Sequence, residues 1–306
     1  MERYRTVHSP GDSLPLDVVE VIPDTLPVKA LVQIVHGMQE HKERYLHFMR
    51  FLASRGIASV AADHRGHGKS IRQPEDLGYF YDDKGEAIVE DLDAISANLR
   101  LEYPHVPFAM IAHSMGTLVA RKYLKKHDGA LDALILSGPV WENPNAKAGR
   151  KLVDVLARLM GDRYISKYVA RLVEGSFDKG IPGTQKNRWL NTCEERVEEF
   201  NSDPLCGQPF TLNGYHNLLL LVEDVYAKEG WQAKNPDLPI LFAAGEQDPV
   251  IGSPAEFVNQ GRTLRDNGYT HIRQKLYPHM RHEILNEVDR EHVYEDFYNF
   301  LQEIIL

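Results

Sequence analysis

Short runs of apolar residues alternate along the chain with longer segments in which apolar residues recur every three or four positions. The runs are typical of strands buried on both faces of a sheet. They cover residues 28–35, 57–62, 107–112, 131–137 and 238–244, and a last strand is expected at 271–277. Helical spacing follows the first run over about 41–55, recurs from Glu86 to Leu99, and is expected again at the C-terminus. The alternation predicts an α/β fold with a mostly parallel central sheet flanked by helices.

The first 22 residues depart from this pattern. Residues 3–8 and 15–22 alternate polar and apolar positions, and Pro10-Gly11-Asp12 separates them. Alternation on both sides of a turn sequence predicts an opening antiparallel hairpin.

The strand and helix alternation also stops between residues 140 and 232. The pattern of this segment predicts several amphipathic helices interrupted at glycine residues. These lie at Gly161, Gly175, Pro182-Gly183 and Asn213-Gly214. A chain of 306 residues accommodates one large α/β domain with an inserted subdomain. We therefore expect an α/β core formed by residues 1–139 and 233–306, and a helical cap, or lid, formed by residues 140–232.

The charge and composition of the chain limit the classes of partner and the cellular location that we expect. The chain carries 35 basic and 44 acidic residues, a formal charge of -9, which disfavours nucleic acid and anionic membranes as partners. No segment approaches the roughly 20 apolar residues needed to cross a bilayer, and the first residues lack a signal-peptide core, so we expect a cytoplasmic protein. Two cysteines are too few for a disulfide framework and are expected to be reduced. The pattern carries no signal for an oligomeric state.

A candidate nucleophile lies where a predicted strand meets a predicted helix. The motif is Ala112-His113-Ser114-Met115-Gly116. Small residues two before and two after a serine permit the sharp turn that presents its hydroxyl above the sheet, although Ala112 stands where glycine is usual. We interpret Ser114 as the nucleophile of a serine hydrolase.

A serine nucleophile requires a base and an acid that orients the base. Asp248 follows the predicted strand 238–244, with Glu246 as the rival acid, and His282 follows the last predicted strand, with His279 as the local competitor. The chain order of serine, acid and histidine is that of α/β-hydrolases. The sequence predicts Ser114, Asp248 and His282 as a catalytic triad.

Two backbone N–H groups are candidates for an oxyanion hole. One belongs to Met115, the residue after the nucleophile, and the other to Met38, which follows His36-Gly37 at the end of a predicted strand. Donors at these two places stabilise the oxyanion of a tetrahedral intermediate in this fold.

Three other motifs are incomplete. Residues 66–70, Gly-His-Gly-Lys-Ser, end like a phosphate-binding loop, but Asp63 replaces its first glycine. Residues 282–286 begin like a zinc-protease helix, but Asn286 replaces the second histidine ligand. Two histidine pairs lack further ligands at metal-binding spacing, His36 with His41 and His64 with His67. We expect neither nucleotide nor metal binding.

Four segments resemble the monoglyceride lipase and lysophospholipase-like family of α/β-hydrolases, bacterial members included. They are His36-Gly37-Met38-Gln39-Glu40-His41 with Arg44-Tyr45, Asp63 to Ser70, Asp203 to Gly207, and Arg281 to Glu287. The resemblance extends nearly from end to end and favours His282 over His279. It implies hydrolysis of a carboxylic ester of a lipid-like substrate, such as a monoacylglycerol or lysophospholipid, without metal or organic cofactor.

Several alternatives remain open at this point. The same triad serves an amidase or aminopeptidase, and the fold also serves non-catalytic ligand binding. Apolar residues of the cap either line an acyl channel or pack in its core: Trp189-Leu190, Phe210, Leu218 to Leu221 and Trp231. The amphipathic stretch 151–173 either packs on the main domain or makes transient contact with lipid aggregates.

Overall fold

A computed structural model describes residues 1–24 and 27–306 and contains one large sheet within them. Its strands are β1 (Glu2–His8), β2 (Pro15–Val21), β3 (Ala30–Val35), β4 (Ile57–Ala62), β5 (Phe108–His113), β6 (Ala133–Ser137), β7 (Ile240–Gly245) and β8 (Ile272–Tyr277). They are ordered β1-β2-β4-β3-β5-β6-β7-β8. β1 pairs antiparallel with β2, and β2 with β4, whereas all other neighbours are parallel. The predicted hairpin and mostly parallel sheet are confirmed.

The central strands are apolar along their whole length because helices cover both faces of the sheet. Every residue of β3 to β7 is buried. Leu31 and Met110 point into the core on one face, whereas Val32 and Ile111 point into the core on the other. Burial on both faces explains why these segments show continuous apolar runs rather than alternation.

Within the described residues, five helices flank the sheet: α1 (Leu46–Ser54), α2 (Ala87–Glu102), α3 (Met115–His127), α8 (Pro254–Asp266) and α9 (Arg290–Ile305). The helix expected over 41–55 begins as a 3₁₀ turn, Lys42–Tyr45. The sequence pattern did not predict α8. Its buried residues are Phe257, Gln260, Gly261 and Leu264, so only two large apolar side chains mark its inner face.

The segment between β6 and β7 contains four further helices: α4 (Ala146–Met160), α5 (Lys167–Glu174), α6 (Glu194–Ser202) and α7 (Leu212–Tyr226). α4 packs against α7, and α7 packs against α3 below it. This segment is helical as predicted, whereas the division into core and cap at residues 140 and 232 stays a prediction. Within residues 1–24 and 27–306, no helix has the length and apolar character required to span a bilayer.

Candidate active site

Ser114 occupies a strained turn between β5 and α3. Its φ of 51° and ψ of −122° are rare for a residue with a side chain. The Ser114 N–H donates to the Ser137 carbonyl at the end of the neighbouring strand β6 at 3.0 Å, and the N–H and hydroxyl of Thr117 donate to the Ser114 carbonyl within the turn. Such strain is concentrated at functional sites, where the surrounding structure maintains it.

Neighbouring residues explain how the chain tolerates this turn. A Cβ on Gly116 would lie 2.3 Å from the Val35 carbonyl oxygen and 2.6 Å from that of His36, so only glycine lets α3 approach the end of β3. Ala112, in contrast, is fully buried within β5. The alanine that departs from the usual motif is thus accommodated by the sheet.

His282 and Asp248 are hydrogen-bonded in the interior. The two lie in the loops after β8 and β7, and His282 Nδ1 is 2.8 Å from Asp248 Oδ2. Asp248 Oδ1 accepts from the Val250 N–H at 2.8 Å, which fixes the carboxylate plane. The rival residues Glu246 and His279 are both exposed to solvent.

The other nitrogen of His282 is available for chemistry. Nε2 is buried and has no hydrogen-bond partner in the described part of the chain. His282 lines the same cavity as Ser114. The rings of His113 and Trp189 lie 4.6 Å and 4.9 Å from the His282 ring, measured between centroids. Burial, together with nearby His282, lowers the pKa of His113 to about 4, so His113 stays neutral beside it.

The two backbone N–H groups predicted to form the oxyanion hole lie beside Ser114 and are free to donate a hydrogen bond. Neither the Met38 nor the Met115 N–H has an acceptor among residues 1–24 and 27–306. Met115 is the first residue of α3, where helical N–H groups have no internal partner. Met38 lies in a tight loop in which the Gly37 N–H donates to Glu40 Oε1 at 2.6 Å and Gln39 adopts a φ of 57°.

A buried ionic chain joins this loop to the histidine loop. Glu40 accepts from the Tyr45 hydroxyl at 2.8 Å and from Arg44 Nη1 at 2.7 Å, and Arg44 forms a bidentate pair with Glu283 at 2.6 and 2.7 Å. Burial alone would raise the pKa of Glu40, but the Arg44 guanidinium and the hydrogen bonds lower it below its usual value. The sequence did not predict these ion pairs, although Glu40, Arg44 and Tyr45 belong to one of the segments that resemble the monoglyceride lipase-like family.

Two cavities meet at Ser114, Met38 and Trp189. We call the first the apolar cavity; it measures about 180 Å³ and is lined mainly by Val140, Leu172, Val173, Phe177, Leu218 and Leu219. We call the second the polar cavity; it is lined by Gln39, Glu40, His113, Glu174, Asn187 and Glu283, with His282.

Of the apolar cap residues singled out in the sequence, Trp189, Leu218 and Leu219 line the apolar cavity, whereas Phe210 and Leu221 pack in the core. Trp231 packs against Tyr269.

The histidines of the glycine-rich segments are structural neighbours. The rings of His36 and His64 lie 4.2 Å apart, and His36 Nε2 accepts from the His64 N–H. His41 lies with Asp203 and Cys206, and its Nε2 is 2.9 Å from Asp203 Oδ2. Burial raises the pKa of the Cys206 thiol, which therefore stays protonated, and both cysteines are free. We interpret the His41 cluster as a link between the Met38 loop and the inserted segment.

Comparison with known proteins agrees with this geometry. Residues 27–289 match the family described as "Serine aminopeptidase, S33". The fold, with a serine on the turn between strand and helix, is that of an α/β-hydrolase. The chain belongs to this serine aminopeptidase family and resembles its monoglyceride lipase-like members.

Three relatives illustrate the similarity. The chain is 27% identical to a monoacylglycerol lipase of Mycolicibacterium smegmatis over 90% of its length and 88% of that protein. It is 24% identical to the monoglyceride lipase of Homo sapiens, over 85% and 81%. A thermostable carboxyl esterase from Bacillus coagulans, solved in complex with glycerol, superposes with a TM-score of 0.92 at 27% identity, covering 100% of this chain and 99% of the esterase.

Proposed function

We propose that the protein hydrolyses carboxylic esters of lipid-like substrates through an acyl-enzyme on Ser114. The observation that carries the proposal is the buried His282–Asp248 hydrogen bond, whose free Nε2 lies in the same cavity as Ser114. Ser114 attacks the ester carbonyl while His282 Nε2 accepts its proton, and Asp248 stabilises the imidazolium that forms. The Met38 and Met115 N–H groups stabilise the oxyanion.

The second half of the reaction uses the same groups. His282 transfers its proton to the leaving alcohol, which departs, and the acyl chain stays in the apolar cavity of about 180 Å³. His282 then activates a water molecule that hydrolyses the acyl-enzyme and frees Ser114. Monoacylglycerols and lysophospholipids have the required form, one acyl chain and one polar alcohol. Relatives named as monoacylglycerol lipases and a carboxyl esterase support this substrate class.

The decisive experiment compares wild type with Ser114→Ala on p-nitrophenyl esters from acetate to palmitate in buffer containing EDTA. We expect wild-type activity that survives EDTA, is greatest for medium or long chains and disappears in the variant. An inert wild type, or an equally active Ser114→Ala protein, would contradict the proposal.

The family description favours one second candidate, an aminopeptidase with the same triad. The triad transfers acyl groups from esters and amides alike, and the cavities select the leaving group. Amino-acid p-nitroanilides measured beside the esters separate the two functions. A higher kcat/KM on the anilides would favour the aminopeptidase.

We also propose that the inserted helices contact lipid aggregates. α4, α5 and the loop between them expose large apolar side chains: Val155, Leu159, Met160, Tyr164, Ile165, Tyr168 and Leu172. Leu172 also lines the apolar cavity, so this surface reaches the entrance for an acyl chain. Amphipathic helices of this kind insert their apolar face at a lipid–water interface.

Sedimentation with phosphatidylcholine vesicles tests this contact, with Ser114→Ala protein so that no lipid is consumed. Leu159 is 77% exposed on α4, and Leu101 is 81% exposed on α2, outside the inserted segment. We expect Leu159→Glu to reduce vesicle binding and Leu101→Glu to leave it unchanged. Equal binding by both variants would contradict the proposed surface. The cytoplasmic localisation expected from the sequence stays a prediction that cell fractionation tests.

A further inference from the structure

His41, Asp203 and Cys206 bring three metal-binding side chains together outside the catalytic triad. His41 Nε2, a carboxylate oxygen of Asp203 and Cys206 Sγ all lie within 4.8 Å of one another. Imidazole, carboxylate and thiolate are the three kinds of side-chain ligand that proteins use to bind Zn²⁺. The sequence did not predict this cluster because 162 positions separate His41 from Asp203.

Backbone hydrogen bonds hold the three ligands in place. The Cys206 N–H donates to the Asp203 carbonyl at 3.0 Å, so a short turn brings the carboxylate and the thiol together. The Leu205 N–H donates to Asp203 Oδ1 at 2.8 Å, which leaves Oδ2 to face His41 Nε2 at 2.9 Å. A contact that orients a ligating carboxylate in this way is typical of metal sites, where outer partners fix the ligands.

The position of the cluster gives a cation both burial and access. The turn is held against the Met38 loop by the Gly207 N–H, which donates to the Gln39 carbonyl at 2.9 Å. His41 and Cys206 are buried, whereas 31% of the Asp203 side chain is exposed. A cation therefore reaches the cluster past Asp203, where a water molecule can supply the fourth ligand of a tetrahedral site.

The charges around the Cys206 thiol favour a cation. The Arg44 guanidinium is already paired with the buried carboxylates of Glu40 and Glu283, and Asp203 adds a third carboxylate beside them. Negative charge is thus in excess at the cluster. Charges withdrawn from water are normally paired or coordinate a metal ion, and a dication satisfies this excess.

We propose that His41, Asp203 and Cys206 form a zinc-binding site that joins the Met38 loop to the inserted segment. Zn²⁺ replaces the thiol proton of Cys206, which passes to solvent, while His41 binds through Nε2 and keeps its proton on Nδ1. Tetrahedral bonds of about 2.0–2.3 Å separate ligand atoms by about 3–4 Å, so the three side chains need only small shifts. The metal stabilises the folded protein, because unfolding separates His41 from the other two ligands.

Cobalt(II) is the probe for this site, because it adopts the coordination of Zn²⁺ and its bond to a thiolate absorbs in the near ultraviolet. The whole chain, treated with EDTA and desalted, is titrated with Co²⁺ and then with Zn²⁺. We expect one Co²⁺ per chain, with a thiolate-to-cobalt band that Zn²⁺ removes. The melting temperature should rise with the concentration of Zn²⁺.

Variants of the two cysteines locate the bound metal. Cys206→Ser should abolish the band and weaken Zn²⁺ binding by more than the roughly 10–100-fold that loss of an outer partner costs. Cys193→Ser is the matched control, because Cys193 is also a free thiol beside a carboxylate, that of Glu195 at 3.1 Å. This variant should keep the band and the affinity. His41→Gln should weaken binding as Cys206→Ser does, without a change to either thiol.

Three results would overturn the zinc site. They are a wild type without the band at millimolar Co²⁺, a band retained in Cys206→Ser, and a band lost in Cys193→Ser. Because the active-site histidine also offers a nitrogen to metal ions, His282→Gln is measured beside them and should bind one Co²⁺ as tightly as wild type. Loss of the band in His282→Gln would place the metal in the active site instead. If Cys206→Ser does not fold, His41→Gln decides, and unchanged affinity in it would contradict the proposal.

Discussion

Single residues explain how the chain maintains a serine at positive φ. Gly116 is required because its missing side chain lets α3 lie against the end of β3. We predict that Gly116→Ala lowers the free energy of unfolding by about 1–3 kcal/mol, the usual cost of overpacking a buried position. Urea denaturation measures the change. Gly129→Ala is the matched control, because a Cβ there would meet no atom within 4 Å; equal losses in both variants would contradict the argument.

The second residue-scale prediction concerns Asp248. Asp248→Asn keeps an oxygen for the Val250 N–H but replaces the acceptor that fixes the His282 ring and stabilises its charged form. We expect kcat to fall by on the order of 10³- to 10⁴-fold with little change in stability, as for such substitutions in other serine hydrolases. Glu246→Gln, at the exposed rival acid, should leave kcat unchanged. A large loss of kcat in Glu246→Gln, with little loss in Asp248→Asn, would instead identify Glu246 as the acid of the triad.

At the scale of elements, the chain Glu40–Arg44–Glu283 connects the loop after β3 with the loop after β8. Glu40 fixes the Gly37 N–H next to the oxyanion donor of Met38, and Glu283 follows His282 directly. We predict that Glu40→Gln lowers kcat by about tenfold or more, since losing one oxyanion donor costs 10²- to 10³-fold. KM should stay near the wild-type value. Affinity for an alkyl boronic acid, which forms a tetrahedral adduct with the serine, should fall in parallel with kcat.

A control for this prediction is Asp91→Asn, because Asp91 forms a buried bidentate pair with Arg65 away from the active site. This variant should lose stability without a comparable loss of kcat or of boronic acid affinity. If Glu40→Gln behaves in the same way as Asp91→Asn, Glu40 is a structural residue and does not position the oxyanion loop.

The elements also show what the sequence predicts and what it does not. Continuous apolar runs predicted the parallel strands β3 to β7 because burial on both faces leaves few polar positions in them, and runs this short are typical of strands rather than helices. α8 was not predicted because Phe257 and Leu264 are the two large apolar residues on its buried face, too few for a clear helical pattern. Ser114, Asp248 and His282 could be proposed from the sequence because each follows a predicted strand, and their catalytic roles stay a prediction. The Arg44–Glu283 pair was not, since 239 positions separate its partners and no local pattern records the contact.

At the scale of the whole molecule, the parallel sheet brings the loops after β3, β5, β7 and β8 to one edge, where Met38, Ser114, Asp248 and His282 lie. The same packing buries histidines behind these loops. Burial lowers the pKa of His64 to about 3, that of His67 and of His113 to about 4, and that of His47 to about 4. In the unfolded chain each returns to about 6.5. The folded protein therefore keeps these side chains neutral while the unfolded chain takes up protons.

The direction of the pH dependence follows from this difference. Because the folded pKa values are depressed, stability is fully present above about pH 6.5 and is lost as the pH falls toward 4. Near pH 5 each histidine contributes up to about 1.4 kcal/mol per pH unit. We predict that the free energy of unfolding, measured in urea at pH 7.5, 6 and 5, falls by several times that amount. In His67→Gln, the free energy of unfolding should depend less steeply on pH, by the contribution of one histidine. His67 is fully buried and its Nε2 has no partner among the described residues. A slope equal to that of wild type would contradict a lowered pKa of His67 in the folded protein.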